Sequence, residues 1–160
     1  MSRLSTISDI VGVLQAQSSL LGTADATPGT WGERFGPKVT EWPDPQRLED
    51  RPTCVFVENV RGTIDRPSLA GGAVIYQDEY TFDVVGLIEE HPADSSATRT
   101  LAGAMFEAVI AAFQSSAMNA LAPSIELNGE VDGPSLYASD RGVWAEMRFS
   151  VQVTEFVSGA

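Results

Sequence analysis

The sequence predicts one α+β domain, in which one mainly antiparallel sheet carries two helices on one face. Its 160 residues are 43% apolar, which is the length and composition of a single globular core. The periodic segments run helix, strand, strand, helix and then three strands, without the repeated strand–helix–strand units of a parallel sheet. No internal repeat or low-complexity tract interrupts this order. We therefore assign residues 1–160 to a single domain.

The chain begins with a predicted helix at about residues 6–18, where apolar side chains recur at helical spacing. Thr6 and Asp9 have the spacing of a capping box. This pair predicts that the helix starts at Thr6.

Residues 23–52 are predicted to form a long irregular loop, because prolines and glycines recur every few residues and the periodicity is lost. Loops of this length are uncommon inside compact domains and are often functional. Trp31, Phe35 and Trp42 supply most of the apolar surface in this loop. Two interpretations remain open: these rings bind a partner, or they fold back onto their own domain.

The next segment predicts two strands separated by a second loop. A strand rich in β-branched residues runs from Thr53 to Val60, with Cys54 as a core residue, and residues 61–72 are predicted to be a loop. Residues 80–89 alternate between an apolar face and a mostly polar face, which indicates a long half-buried strand. His91 and Pro92 are expected to end it, because proline cannot continue the hydrogen-bond ladder.

The clearest helix is predicted at residues 95–116, whose apolar stripe is wide enough to lie on a sheet. Small residues such as Gly103 are expected to let this helix approach closely. The C-terminal region is predicted to be an antiparallel meander, with turns near residues 128–129 and 140–142. The final strand, residues 143–154, would span roughly 40 Å, and we expect it to project beyond the sheet.

The charge is strongly negative and unevenly distributed. The chain has 10 basic and 22 acidic residues, and residues 67–160 hold 13 of the acids but only three arginines. Such a surface repels phosphate backbones and anionic lipid, so nucleic-acid binding and membrane docking are not expected. Two interpretations remain: a solvated surface that promotes solubility, or an acidic face past which DNA slides without adhering.

Two further features indicate a soluble protein made in a reducing cytoplasm. We find no apolar run approaching the roughly 20 residues of a membrane span, and no apolar signal region follows Met1. The single cysteine, Cys54, cannot form a disulfide within one chain.

The search for catalytic chemistry gives weak candidates only. His91, the single histidine, has carboxylates nearby in sequence, so an acid–base or metal cluster is one interpretation and a polar strand end is the other. No nucleophile elbow or phosphate-binding loop occurs. A calcium site is conceivable where the late turns gather acids, although their spacing fits no known ligand order: Glu126, Glu130, Asp132 and Asp140. The sequence therefore predicts no catalytic residue, metal or cofactor.

The order of the predicted elements and their residue composition resemble those of a known family. The elements that carry the resemblance are the N-terminal helix, the proline- and glycine-rich loop, the strand that begins at Pro52, the strand from Tyr80 to Leu87, the alanine-rich helix, and the closing strand from Trp144 to Val151. Together they resemble the tail terminator proteins of long-tailed bacteriophages over most of residues 5–156.

The resemblance implies a structural virion protein with a fold similar to that of tail-tube subunits. It would form a homohexameric ring at the head-proximal end of the tail, stop the polymerisation of the tail tube protein and join the head–tail connector or completion protein. It would be assembled in the host cytoplasm, would not be an enzyme and would let DNA pass without specific binding. Its subunit and partner contacts are expected in two places: Trp31, Phe35 and Trp42 in the long loop, and Trp144 and Arg148 in the final strand.

The acidic residues of the late turns are the candidates for the lumen of such a ring: Glu126, Glu130, Asp132 and Asp140. Two alternatives stay open. The first is another head–tail connector or completion protein of the same particle. The second is a small α+β enzyme or ligand-binding dimer that uses the region of His91.

Overall fold

The computed structural model describes residues 3–16, 39–40, 54–63, 67–70, 73–91, 95–128 and 133–158. The helices are α1 (Arg3–Ala16), α2 (Ser95–Phe113) and α3 (Ser116–Asn119). The strands are β1 (Val39–Thr40), β2 (Cys54–Thr63), β3 (Pro67–Ala70), β4 (Ala73–His91), β5 (Ser124–Leu127), β6 (Ser135–Ser139) and β7 (Gly142–Ser158).

The strands form one sheet with the order β1-β2-β4-β7-β5, to which β3 adds beside β4 and β6 adds beside β7. Every pairing is antiparallel except the short parallel contact of β1 with β2. The helices and the mainly antiparallel sheet confirm the predicted α+β class.

At two places in the sheet, two shorter strands lie end to end along one long strand. β2 and β3 follow one another along the same edge of β4, and β5 and β6 follow one another along the same edge of β7. The predicted meander is therefore wrong in its pairing, because β5 and β6 both pair with β7 rather than with each other. The predicted loop at residues 61–72 is also wrong in part, since β2 continues to Thr63 and β3 lies within that range.

The prediction that the final strand projects beyond the sheet is wrong. β7 is even longer than expected, but it pairs with β4 from Val143 to Ser158. The sequence indicated a shorter β4 that begins near Tyr80, whereas β4 begins at Ala73 and matches β7 in length. β4 ends at His91, as predicted.

α1 and α2 cover one face of the sheet, as predicted. The core between them contains alternate residues of the central strands, among them Tyr80, Phe82 and Val84 of β4 and Phe149 of β7. α2 contributes Met105 and other members of the predicted apolar stripe to this core. The apolar periodicity of both segments therefore marked the buried faces correctly.

The predicted ends of the helices are less accurate. α1 begins at Arg3, so Thr6 lies inside the helix, where it is buried and donates a hydrogen bond to Glu155. The capping-box prediction for Thr6 is wrong, because a distant acceptor binds its hydroxyl group. α2 ends at Phe113, and Ser115 then caps α3 by accepting a hydrogen bond of 3.2 Å from the backbone N–H of Met118.

Close packing between α2 and the sheet depends on a glycine in the strand rather than in the helix. A Cβ atom added at Gly86 in β4 would lie 2.7 Å from Sδ of Met105 and 2.9 Å from Cγ of Met147. A Cβ atom at Gly103 would meet no atom within 4 Å. The expectation that Gly103 permits a close approach is therefore wrong, and Gly86 has that role.

The stretch Ser96–Asn119 is long and apolar enough to cross a membrane by length and composition, with a mean hydropathy of 1.3. This corrects the expectation that no such run exists. Core helices of soluble proteins meet the same criteria, and in this structure α2 packs on β4 and β7.

The predicted loop at residues 23–52 lies almost entirely outside the described residues. Within it, the structure describes only β1, whose Val39 and Thr40 pair with Val55 and Phe56 of β2.

Candidate functional site: the open face of the sheet

The second face of the sheet is covered by neither α1 nor α2, and we call it the open face. Because side chains alternate along a strand, its members are the odd-numbered residues of β4 and the even-numbered residues of β7. The register of the strands brings these side chains into rows that run across the sheet. The open face thereby combines residues that are far apart in sequence.

An apolar cluster occupies one part of the open face. Phe56 of β2 lies opposite Val85 of β4, and both are buried together with Leu87. Trp144 packs against this cluster and is stacked on Tyr137 of β6, with ring centroids 4.4 Å apart. The burial of these residues shows that the open face is partly a second, smaller core.

A network of charged groups lies beside the apolar cluster. Arg148 forms ion pairs with Glu58, with Glu146 at 2.9 Å and with Asp83 at 3.7 Å. Arg61 forms an ion pair of 3.2 Å with Asp83. Two guanidinium groups therefore hold three carboxylates together across β2, β4 and β7.

A β-bulge in β2 shapes this network. The register with β4 shifts by one residue between Glu58 and Arg61, and Asn59 adopts a positive φ of 55°. Asparagine tolerates this left-handed conformation better than most residues other than glycine. The Asn59 side chain donates hydrogen bonds of 3.3 Å to Glu58 and 3.1 Å to Asp83. The bulge thus supplies a further donor to the carboxylates.

The electrostatics of Arg148 reflect two opposing effects. Partial burial lowers the pKa of Arg148, but its hydrogen bonds and attraction to Glu58 and Glu146 outweigh burial and raise the pKa above its ordinary value. The guanidinium group therefore stays charged at any physiological pH, and the network is a permanent feature of the open face.

A shallow groove of about 310 Å³ lies next to the network. It is lined by Arg61, Gly62, Glu79, Tyr80, Thr81 and Gln152. Its lining contains neither a histidine nor a cysteine. In the part of the chain that the structure describes, no group of three or more His, Cys, Asp or Glu side chains is placed to hold a metal ion.

The covered face holds one buried charged residue, Glu155 of β7, which is only 5% exposed. One oxygen of its carboxyl group accepts hydrogen bonds from Thr6 of α1 and, at 3.0 Å, from the hydroxyl group of Tyr80. The other oxygen is buried and has no hydrogen-bond donor within the described residues. Burial, together with the hydrogen bond and the charge of Glu155, raises the pKa of Tyr80.

The predicted interface residues fall into two groups. Trp144 and Arg148 lie on the open face. Trp144 packs against its apolar cluster, and Arg148 belongs to its ion-pair network. Trp31, Phe35 and Trp42 lie outside the described residues. The structure therefore brings two of these five residues together on one surface.

Of the four candidate lumen residues, the structure describes two, Glu126 and Asp140. Glu126 is an exposed residue of β5, and Asp140 is exposed in the turn between β6 and β7. Glu130 and Asp132 lie outside the described residues. His91 is the last residue of β4 and pairs with Val143.

The partners of Arg148 are not indicated by the sequence pattern. Glu58 is 90 residues away in sequence, and only the register of three strands brings it to Arg148. The one local signal was the i, i+2 spacing of Glu146 and Arg148, which places both side chains on the same face of a strand.

The fold defines this chain as an α+β protein whose sheet is covered on one face by helices. Neither a protein-family model nor a curated protein matches it.

Proposed function

We propose that this chain is a structural subunit of a closed ring that caps a phage tail tube, as its resemblance to tail terminators implies. In this role it binds copies of itself, the tail tube and the head–tail connector, and it transforms no small molecule. The α+β fold with helices on one face of a mainly antiparallel sheet supports the proposal. The strongest support comes from the strand edges at one end of the sheet.

Of the described strands, three reach that end of the sheet: β3, β4 and β7. Ile75 and Tyr76 of β4 lie between β3 on one side and the last residues of β7 on the other. β5 stops at Thr154 of β7, so no described strand pairs with the outer edge of residues 155–158. The outer edge of β3 likewise has no partner among the described strands.

These two free edges lie on opposite sides of the same subunit. A free edge exposes a row of backbone donors and acceptors that can pair with another strand. Joining the β7 edge of one copy to the β3 edge of the next gives a heterologous contact, which is the type that closes into a ring. Phe156, which is 72% exposed on the β7 edge, supplies apolar area for such a contact.

The charge of the chain is compatible with a DNA conduit. The chain has a formal net charge of −12, and negative walls repel a phosphate backbone. DNA would therefore pass such a ring without adhering to it.

Native mass spectrometry and electron microscopy test the proposal. The purified chain is mixed with tail tubes of the parent phage, and we expect a sixfold ring at the tube end and no further tube growth. A particle of twelve copies would instead favour a connector. A compact dimer that leaves tube ends free would favour the ligand-binding or enzymatic alternative and contradict the proposal.

A proline substitution distinguishes a defect in the ring contact from a defect in folding. Phe156→Pro removes an outward-facing backbone N–H from the free β7 edge, where proline is tolerated. We expect loss of the ring with a nearly unchanged melting temperature, whereas Phe156→Ala, which keeps the N–H, should only weaken the ring. Ring formation by Phe156→Pro at wild-type levels would exclude this edge as the contact.

A further inference from the structure

The strand β6 is an exposed edge of the sheet, distinct from the two edges assigned to the ring. All five of its residues, Ser135–Ser139, are exposed, and it pairs only with β7. On its outer side no strand is present within the described residues. Within the described part of the chain, the outer edge of β6 is therefore available at Leu136 and Ala138.

The direction of the backbone groups in β6 follows from a neighbouring hydrogen bond. The N–H of Asn128 donates to the carbonyl oxygen of Ser150 at 2.7 Å, so even-numbered residues of β7 direct their backbone groups toward β5 and β6. Trp144 is one of these residues and pairs with Tyr137. The backbone groups of the alternate residues, Leu136 and Ala138, therefore point outward.

β6 lacks the features that usually protect an edge strand. It contains no charged residue, no proline and no bulge, which are the common means of preventing strand addition. Two large apolar side chains are exposed side by side: Leu136 at 37% and Tyr137 at 43%. Because neighbouring side chains of a strand point to opposite faces, an added strand would meet an apolar side chain on each face.

The charge of the open face indicates whether an added strand would be acidic or basic. The turn residues Asp140 and Arg141 add no net charge beside β6. On the open face, however, Glu146 lies opposite Ser135 of β6, and the ion-pair network to which it belongs has three carboxylates and two guanidinium groups in the described part of the chain: Glu58, Asp83 and Glu146 against Arg61 and Arg148. The stacked rings of Tyr137 and Trp144 add a surface that attracts cations.

We infer that β6 binds an extended segment of another protein by strand addition, and that this segment alternates apolar and basic residues. The outward backbone groups of Leu136 and Ala138 form the hydrogen-bond ladder. The basic residues lie on the open face beside Tyr137, and the apolar residues lie beside Leu136. This inference does not depend on the ring, because β6 is accessible in a single chain.

A second copy of the chain fits this edge less well than a basic segment. Two antiparallel β6 strands would bring together two open faces that each carry excess carboxylates.

A designed peptide tests the inference. The probe is a capped nine-residue peptide of alternating lysine and valine, and the controls are the same peptide with glutamate for lysine and with alternate backbone amides N-methylated. We expect the lysine peptide to bind the wild-type chain at 150 mM salt and both controls to bind at least about tenfold more weakly. Equal binding of the lysine and glutamate peptides would contradict the proposed charge preference. Equal binding of the N-methylated peptide would contradict strand addition.

Variants of β6 locate the binding site. Ala138→Pro removes one outward N–H and is expected to weaken binding about tenfold or more, while Phe156→Pro, on the ring edge, should leave peptide binding unchanged. Ser135→Lys should weaken binding of the lysine peptide by about twofold to fivefold, and Ser135→Glu should strengthen it by a similar factor. Melting temperatures of the variants report whether each one folds.

The outcomes separate this inference from the proposed ring. Loss of peptide binding in Ala138→Pro with intact ring formation supports β6 as an independent docking edge. Wild-type binding by Ala138→Pro would overturn the inference, and so would a dimer that Ala138→Pro abolishes when no peptide binds.

Discussion

The covered face and the open face of the sheet are built from alternating residues of the same strands, yet they are stabilised differently. The covered face buries a continuous apolar core under two helices, and among the described residues its buried charged side chain is Glu155. The open face has three buried apolar residues beside an ion-pair network that is partly exposed. Because burial of apolar area is the main source of stability, this difference predicts that most of the stability resides on the face that the helices cover.

The largest expected effect tests this difference directly. Phe82 is fully buried on the covered face, and Phe82→Ala should lower the free energy of unfolding by about 3–5 kcal/mol. Phe56→Ala on the open face should cost less, about 1–3 kcal/mol, because its cluster has few members and relaxes more easily. Denaturant unfolding measures both values. Equal losses would show that the open face is as much a core as the covered face.

A second pair of variants tests how closely α2 approaches the sheet. Gly86→Ala inserts a methyl group against Met105 and Met147, and should destabilise the protein by about 1–3 kcal/mol. The matched change Gly103→Ala meets no atom and should stabilise α2 by up to about 1 kcal/mol. Thermal unfolding distinguishes the two signs. Two changes of the same sign would contradict the assignment of the close contact to Gly86.

The buried carboxyl group on the covered face gives a prediction with a pH dependence. Tyr80→Phe removes a donor from Glu155 and should cost about 1–3 kcal/mol at neutral pH. Because the pKa of Tyr80 is raised above its ordinary value of 10.0, the folded state keeps a proton that the unfolded state releases. Wild-type stability should therefore fall as the pH rises above about 10.

Tyr80→Phe should reduce that alkaline loss, since the group that must ionise on unfolding is gone. Tyr137→Phe, which removes the hydroxyl group of an exposed tyrosine far from Glu155, serves as the control for the substitution itself. Urea unfolding between pH 8 and pH 11 measures both slopes. A slope in Tyr80→Phe identical to that of the wild type would contradict the assignment.

The smallest effect is expected on the open face. Arg148 is 47% exposed, so Arg148→Ala should cost about 1 kcal/mol or less, and added salt should reduce that cost. Arg61→Ala, at a more exposed arginine that forms an ion pair with Asp83, should cost less still. Denaturant unfolding at low and high salt measures these values. A loss of several kcal/mol in Arg148→Ala would place this network among the main sources of stability.

Local patterns in the sequence predicted the class of the fold and the buried faces of its main elements. The alternation around Tyr80 and Phe82 and the helical stripe through Met105 reflect burial that each segment requires on its own. These patterns do not encode strand pairing. The placement of β5 and β6 along β7 depends on contacts between distant segments, and so the predicted meander had the wrong pairing.

The candidate site was predicted less well than the fold, and for the same reason. Trp144 and Arg148 were identified as candidates, but the partners of Arg148 come from three different strands. The bulge at Asn59 and the shift in register at Arg61 depend on pairing with β4, and residue types alone do not indicate them. Thr6 is an example of a local pattern that misled. Its spacing from Asp9 predicted a helix cap, whereas its hydroxyl group donates to the distant carboxyl group of Glu155.

The hydrogen bond between Thr6 and Glu155 joins residues that are 149 positions apart in sequence. During synthesis the first helix therefore emerges from the ribosome long before its polar partner exists. The native contact of α1 with β7 can therefore form only after residue 155 has been translated. Removal of the end of β7 would leave the Thr6 hydroxyl group without this acceptor. Contacts between such distant residues are slow to form, because a long loop must close first.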